Sequence, residues 1–252
     1  MESRLTIDLN ADLGETDGDL ALMSVVTSAN VACGGHAGDH RSMAEAVEAA
    51  LVNAVVIGAH ASYPDRAGFG RVDLDLRAVD VASSVAKQVT DLTEVALAHG
   101  ATVAYLKLHG ALYHRVGRDL ECAEAILQEL AEAGLGPLIV LAQPGAALME
   151  AAGRLGWGEV EEGFCDRAYR AGGTLVDRRE AGSVLEDTAA VVRQALSLAV
   201  DGGVRAADGA WVALRPGSLC LHGDTPGAIT LARAIRHGLE HVGVAIKPFA
   251  GR

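Results

Sequence analysis

Leu5-Thr6-Ile7-Asp8-Leu9-Asn10-Ala11-Asp12-Leu13-Gly14 decides how the chain is read, because it alternates. In an extended chain Leu5, Ile7 and Leu9 fall on one face and Asp8, Asn10 and Asp12 on the other. A carboxylate left unpaired in a low-dielectric interior costs several kcal/mol, so the polar face of such a strand needs partners from elsewhere. The plain alternative is that Asp8 satisfies backbone groups and Asp12 caps a turn before Gly14. Outward from this segment, short apolar runs recur at Ala29 to Ala32, Val55 to His60, Thr102 to Leu108, Leu138 to Ala142 and Ser218 to Leu221, with weaker ones at Val160 to Phe164 and Trp211 to Leu214. Amphipathic stretches lie between them, the mark of βα units and a mainly parallel sheet. Two helices carry start signals: a capping box from Ser183 to Glu186, and Thr225 as N-cap before Pro226, followed by Ile229, Ala232, Ile235 and Leu239. Seven or eight such units can close into a (β/α) barrel or stay open as a doubly wound sheet. Polar residues follow nearly every strand, not only a pair flanking one switch point, and this favours the barrel.

The 252 residues, 50% hydrophobic and 21% charged, suit a single large domain spanning 1–252. No apolar run approaches the roughly 18 to 20 residues that span a bilayer, and the start lacks a secretory h-region. A cytoplasmic location without membrane association is expected. A net charge of -12 opposes sequence-independent binding of nucleic acid. Cys33, Cys122, Cys165 and Cys220 are scattered without a C-x-x-C pair, giving neither a disulfide framework nor a thiolate zinc site.

The strand ends hold the chemistry. After the second strand, Asn30-Val31-Ala32-Cys33-Gly34-Gly35-His36-Ala37-Gly38-Asp39 brings glycines, a histidine and an acid to a helix start near Ser42, where backbone N–H groups could receive an anion. After the third, Gly58 to Arg71 contains His60, Tyr63, Asp65, Arg66 and Arg71, a mixture of proton-transfer groups and anion clamps. In Val103-Ala104-Tyr105-Leu106-Lys107-Leu108-His109 the period of two puts Lys107 and His109 on one face. An ammonium within so apolar a run calls for a carboxylate or a ligand. Near the end stand Asp166-Arg167 and Cys220-Leu221-His222-Gly223-Asp224; each lone residue there could also be a cap or a satisfied core group, Asp224 above all. Together these support acid/base chemistry on a small polar molecule, with or without a divalent metal. The H-E-x-x-H, G-x-S-x-G, Rossmann and Walker A patterns are missing.

Six ordered motifs, Asp8 to Glu15, Ser28 to Asp39, Gly58 to Arg71, Lys107 to Tyr113, Asp166 to Tyr169 and His222 to Asp224, resemble the LamB/YcsF family, the A subunits of ATP-dependent 5-oxoprolinase. The resemblance implies a seven-stranded, TIM-like barrel of the glycoside hydrolase and deacetylase type. It also implies ring opening of 5-oxoproline to glutamate with ATP as co-substrate, Mg2+ accompanying the nucleotide, no tightly bound organic cofactor, and partner subunits B and C. Gly35, Ala61, Leu108 and Val72 depart from the family pattern and leave the acid/base candidates in place.

On that footing Asp12, His60, Lys107 and His109 are the expected catalytic groups. Lys107, Arg66 and Arg71 would offset phosphate or oxyanion charge, while Asn10, Asn30 and His36 orient the lactam. Asp39, Asp65, Asp166, Arg167, His222 and Asp224 complete the expected binding set. Two alternatives stay open: a stand-alone metal-dependent deacetylase or amidohydrolase with Asp12, His60 and His109 as ligands, and a non-catalytic subunit that binds 5-oxoproline for its partners.

Overall fold

The alternation is realised as strand geometry, and it sorts the side chains into two environments. The computed structural model describes residues 5–223 and 227–251. Its strands are β1 (Thr6–Leu13), β2 (Ser28–Ala32), β3 (Val56–His60), β4 (Val103–Leu106), β5 (Ile139–Ala142), β6 (Glu159–Phe164), β7 (Gly203–Arg205), β8 (Trp211–Ala213), β9 (Ser218–His222) and β10 (Ala245–Ile246). The helices are α1 (His40–Asn53), α2 (Ala78–Ala98), α3 (Gly110–Arg115), α4 (Leu120–Glu132), α5 (Ala147–Leu155), α6 (Thr188–Leu196) and α7 (Ala228–His241). Strands β1 to β6 pair in sequence order, β6 pairs with β9, and β9 pairs back to β1, all parallel. That last pairing closes a seven-stranded barrel and rules out the open sheet. β10 adds to the start of β1 at Thr6 and Ile7.

Ile7, Leu9, Ala11 and Leu13 turn outward into one principal apolar core that also takes in Met43 and Val47 of α1, Leu92 of α2, Ile126 of α4 and Ile235 of α7. Removing that much aliphatic surface from water is the main driving force for the closed form. A second cluster, Val56, Tyr105, Leu141 and Ala250 with Phe249 packed on it, plugs the end where the strands begin. The polar side chains are therefore left with the barrel axis and its carboxyl-terminal mouth.

Several local expectations change. The capping box at Ser183 does not start a helix: α6 begins at Thr188, with Asp187 accepting from the Ala190 N–H. The Ser183 hydroxyl donates to the Arg178 carbonyl, and Val184 bridges antiparallel to Arg167, so tertiary contacts claim the segment that propensity offers to a helix. Trp211 to Ala213 is a strand, but it pairs antiparallel with β7 outside the barrel. Strand β4 stops at Leu106, yet the N–H groups of Lys107 and His109 still donate to the Ala59 and Ala61 carbonyls, which preserves the alternation through both residues. Thr225 and Pro226 lie outside the described residues, as does Asp224. No helix among the described residues is long and apolar enough to cross a membrane.

Candidate active site

The inward column of β1 sets three polar levels, and strand register supplies the partners for each. At the lowest, Asp8 accepts hydrogen bonds from the hydroxyls of Thr27 (2.6 Å), Ser28 (2.7 Å) and Ser218. Burial pushes its carboxyl up to about 6 against the pull of those donors. One level higher, Asn10 donates to Ser218 Oγ at 2.7 Å and accepts from Asn30 at 2.7 Å. Asn30 also donates to Asp12 Oδ1 at 2.8 Å, and the Tyr105 hydroxyl donates to its carbonyl oxygen at 2.7 Å. Gly58 makes room for that tyrosine, since a Cβ there would stand 2.2 Å from the ring. Asn30 thus spends its amide inside the protein. Asn30 positions Asp12, and Asn10 holds Asn30 in turn.

Asp12, Lys107 and Glu162 form the third level. The Lys107 ammonium stands 2.9 Å from Asp12 Oδ1 and 2.8 Å from Glu162 Oε1, the latter an ion pair too poorly aligned to count as a hydrogen bond, and 3.0 Å from Cys220 Sγ. Burial alone would discharge both Lys107 and Asp12. Their mutual attraction, with His60 on the Asp12 side, outweighs it, so the ammonium is held well above its ordinary range and the carboxylate well below. The Tyr113 hydroxyl donates to Glu162 Oε2 at 3.0 Å.

Above this level sit three histidines around Glu15. His36 Nε2 is 2.8 Å from Glu15 Oε1, His109 Nδ1 is 3.2 Å from it, and His60 Nε2 is 3.5 Å from it and 3.3 Å from Asp12 Oδ2. His36 and His109 stack with ring centroids 3.7 Å apart. Burial lowers both, His36 to about 4, against the raising effect of Glu15. In His60 burial is outweighed by Asp12 and Glu15, and the net shift is upward. The loop after β3 holds this cluster from above. Phe69 takes a left-handed backbone (φ 53), unusual for a residue with a bulky side chain, and delivers its carbonyl to His109 Nε2 at 3.0 Å. Across the mouth, His222 Nδ1 lies 3.0 Å from both oxygens of the buried Asp166, and the ring stacks on Phe164.

The structure brings together Asn10, Asp12, Asn30, His36, His60, Lys107, His109, Asp166 and His222. It places others elsewhere. Asp39 is exposed and caps α1, accepting from Arg41 and Ser42 N–H, so the helix start suggested for an anion is filled by the chain's own carboxylate. Exposed Arg66 donates to the Gly34 and Gly38 carbonyls. Arg71, also exposed, lies over the Phe69 ring with 4.8 Å to its centroid. Asp65 accepts from Gly68 N within its own turn. Arg167 is buried and donates to the Ser183 and Val176 carbonyls. Asp19, not Asp12, caps the turn at Gly14, accepting from the Gly14, Glu15 and Thr16 N–H groups. Sequence reasoning gave no role to Glu15 or Glu162. The demand of Lys107 for a carboxylate was the signal for Glu162, which shares strand parity with Phe164. Glu15 follows the β1 acids directly but needed the barrel to meet three histidines.

The LamB/YcsF family profile matches residues 7–252. The A subunit of a 5-oxoprolinase from Streptomyces coelicolor is 51% identical over 251 residues, covering 97% of this chain and all (100%) of that one. Among solved structures, a lactam utilization protein from Thermus thermophilus superposes with a TM-score of 0.89 at 38% identity, covering 97% of this chain and 100% of its own. A peptidoglycan deacetylase of Bacillus subtilis, at 10% identity and a TM-score of 0.52 over 97% of this chain and 88% of its own, shares the fold alone.

Proposed function

The chain belongs to the LamB/YcsF family, and from that premise we propose that it is the A subunit of an ATP-dependent 5-oxoprolinase whose barrel mouth opens the lactam ring. The observation that carries this reading is the buried Lys107 ammonium held between Asp12 and Glu162, directly beneath the Glu15 and histidine cluster. A five-membered lactam is a resonance-stabilised amide and a poor electrophile. Phosphorylating its carbonyl oxygen makes the ring carbon open to attack by water.

The overall stoichiometry is 5-oxoproline, ATP and two waters giving glutamate, ADP and phosphate. One water adds to the activated ring carbon. The C–N bond then breaks with its electron pair going to nitrogen, which takes up a proton, and the second water releases the phosphate. Lys107 faces the oxygen on which negative charge develops. Asp12 enters the step ionised and takes the proton of the attacking water. Because a carboxylate held so low is a weak base, the water must be activated by its neighbours in the histidine cluster. His222 donates its Nδ1–H to Asp166, and in its doubly protonated form it gives the Nε2 proton to the ring nitrogen.

ATP with its Mg2+ belongs on partner subunits B and C in this proposal. Asp8, Asp12, Glu15, Glu162 and Asp166 outnumber Lys107 along the axis, a field that opposes a triphosphate. The test is turnover of 5-oxoproline and ATP by this chain alone, by the partner subunits alone, and by all together. Activity confined to the full mixture is the expected result. Hydrolysis of unphosphorylated amides or acetyl groups by this chain alone would instead establish the amidohydrolase reading.

A further inference from the structure

His60 Nδ1 is 3.0 Å from the Lys107 carbonyl, and His109 Nε2 is 3.0 Å from the Phe69 carbonyl. A carbonyl oxygen only accepts, so each outer nitrogen carries the hydrogen, and a neutral ring then keeps its lone pair on the inner nitrogen. The Ser62 hydroxyl donates to the Tyr63 carbonyl at 2.8 Å and stands 2.9 Å from His36 Nδ1. With its hydrogen so used, it accepts from His36 Nδ1, which turns the Nε2 lone pair of His36 inward as well.

Those inner nitrogens meet one another and an acid. His60 Nε2 lies 3.0 Å from His109 Nδ1, and His36 Nε2 lies 2.8 Å from Glu15 Oε1, all in side chains no more than 6% exposed. Acceptor faces acceptor, in surroundings where an unmatched polar group costs about 1–3 kcal/mol. A single proton between His60 and His109 answers one contact and leaves His36 against Glu15. Protons on His36 and His60 would answer both contacts at the cost of two buried imidazolium ions with ring centroids 5.6 Å apart, and a proton on every ring would add a stacked pair 3.7 Å apart.

We infer that Glu15, His36, His60 and His109 form a binding site for one divalent first-row transition cation, with zinc as its representative. Metal–nitrogen bonds of roughly 2.0–2.1 Å put the donors of a tetrahedron ~3.3 Å apart; four of the six donor pairs here are separated by 2.8, 3.0, 3.2 and 3.5 Å, and all six lie within 4.8 Å. Outer carbonyls that fix the tautomer are the usual second support of metal-bound histidines. A set with three nitrogens disfavours Mg2+ and Ca2+. The site stands on ring orientation and not on the lactam reading. Four protein donors fill a tetrahedron, so an ion there would hold the loop and the strand ends together beside Asp12 and would take a water only as a fifth ligand.

The test uses the full chain, stripped with chelator and titrated with Zn2+ against a chromophoric competitor, with metal content read by plasma mass spectrometry. One zinc per chain is expected. Glu15→Gln, His36→Gln, His60→Gln and His109→Gln should each weaken binding by about tenfold or more, while Cys220→Ser, which alters the neighbouring Asp12, Cys220 and His222 group, should retain it. Circular dichroism checks the fold of each variant. Should the variants unfold, the visible absorption of wild-type protein loaded with Co2+ still reports a tetrahedral nitrogen-rich site. No binding by the wild type, unchanged affinity in folded His109→Gln and Glu15→Gln, or loss of binding in Cys220→Ser would each overturn the inference. Zinc bound without lactam turnover in the complex would sink the proposed function and leave this site standing.

Discussion

The lower and upper levels of the barrel interior are equally buried and equally polar, yet only the lower one balances its protons. Around Asp8 every contact pairs an acceptor with a hydroxyl: Thr27, Ser28 and Ser218 donate, and Asn10 fills the remaining side of Ser218. Around Glu15 three imidazoles bring lone pairs to an oxygen that also only accepts. A satisfied network rigidifies a core. An unsatisfied one persists only where something else, a proton in transit or a bound cation, completes it. The difference separates a level whose hydrogen bonds are complete within the protein from one that calls for a proton or a cation.

Replacing Lys107 should break the comparison most severely. Lys107→Ala leaves Asp12 and Glu162 buried without their cation, a loss of roughly 3–5 kcal/mol, and should cut turnover of the assembled complex by about a hundredfold or more. Urea unfolding and a coupled ADP assay read the two. Turnover within about threefold of normal, roughly 0.7 kcal/mol of barrier, would remove Lys107 from the chemistry.

Ser218→Ala touches the other level. It withdraws a donor from Asp8 and an acceptor from Asn10, and should cost about 1–3 kcal/mol in stability while turnover falls by less than about threefold. A large drop in kcat with unchanged stability would erase the distinction between the levels.

The pH dependence of stability sharpens the same point. Asp8 is raised from 3.8 to about 6 by burial, so the folded state binds its proton more tightly than the unfolded chain does. Its favourable contribution is complete below about pH 4 and is lost as pH rises through about 6. From pH 7 to 5 the unfolding free energy should therefore gain about 1 kcal/mol from this group. Asp8→Asn should remove that gain, as read from urea midpoints at the two pH values. The smallest effect belongs to Asp39→Ala, which should lower Tm slightly through the lost cap on α1 and leave KM for 5-oxoproline unchanged. A raised KM would bring Asp39 back to the site.

Alternation in Leu5 to Asp12 was enough to place Asp8, Asn10 and Asp12 on one face, and the same period put Lys107 and His109 together even though β4 ends at Leu106. These relations are local, set by the backbone repeat. Signals that two environments can satisfy were read less well. Asp39 before a helix looks the same whether it caps the helix or borders an anion site, and Ser183 to Glu186 has the letters of a capping box in a segment already bound to Arg167.

By itself, the sequence determined a succession of βα units, the inward face of each strand, and the need of a buried ammonium for acidic company, because those follow from periodicity and the cost of burying charge. Only the tertiary structure decided that Glu162 would be that company, that β9 would close onto β1, and that His36, His60 and His109 would aim their bare nitrogens at Glu15. Such partnerships join residues as far apart in the chain as Asp8 and Ser218, 210 positions from one another. No local preference encodes them; they exist once hydrophobic burial has closed the barrel and fixed the register between strands.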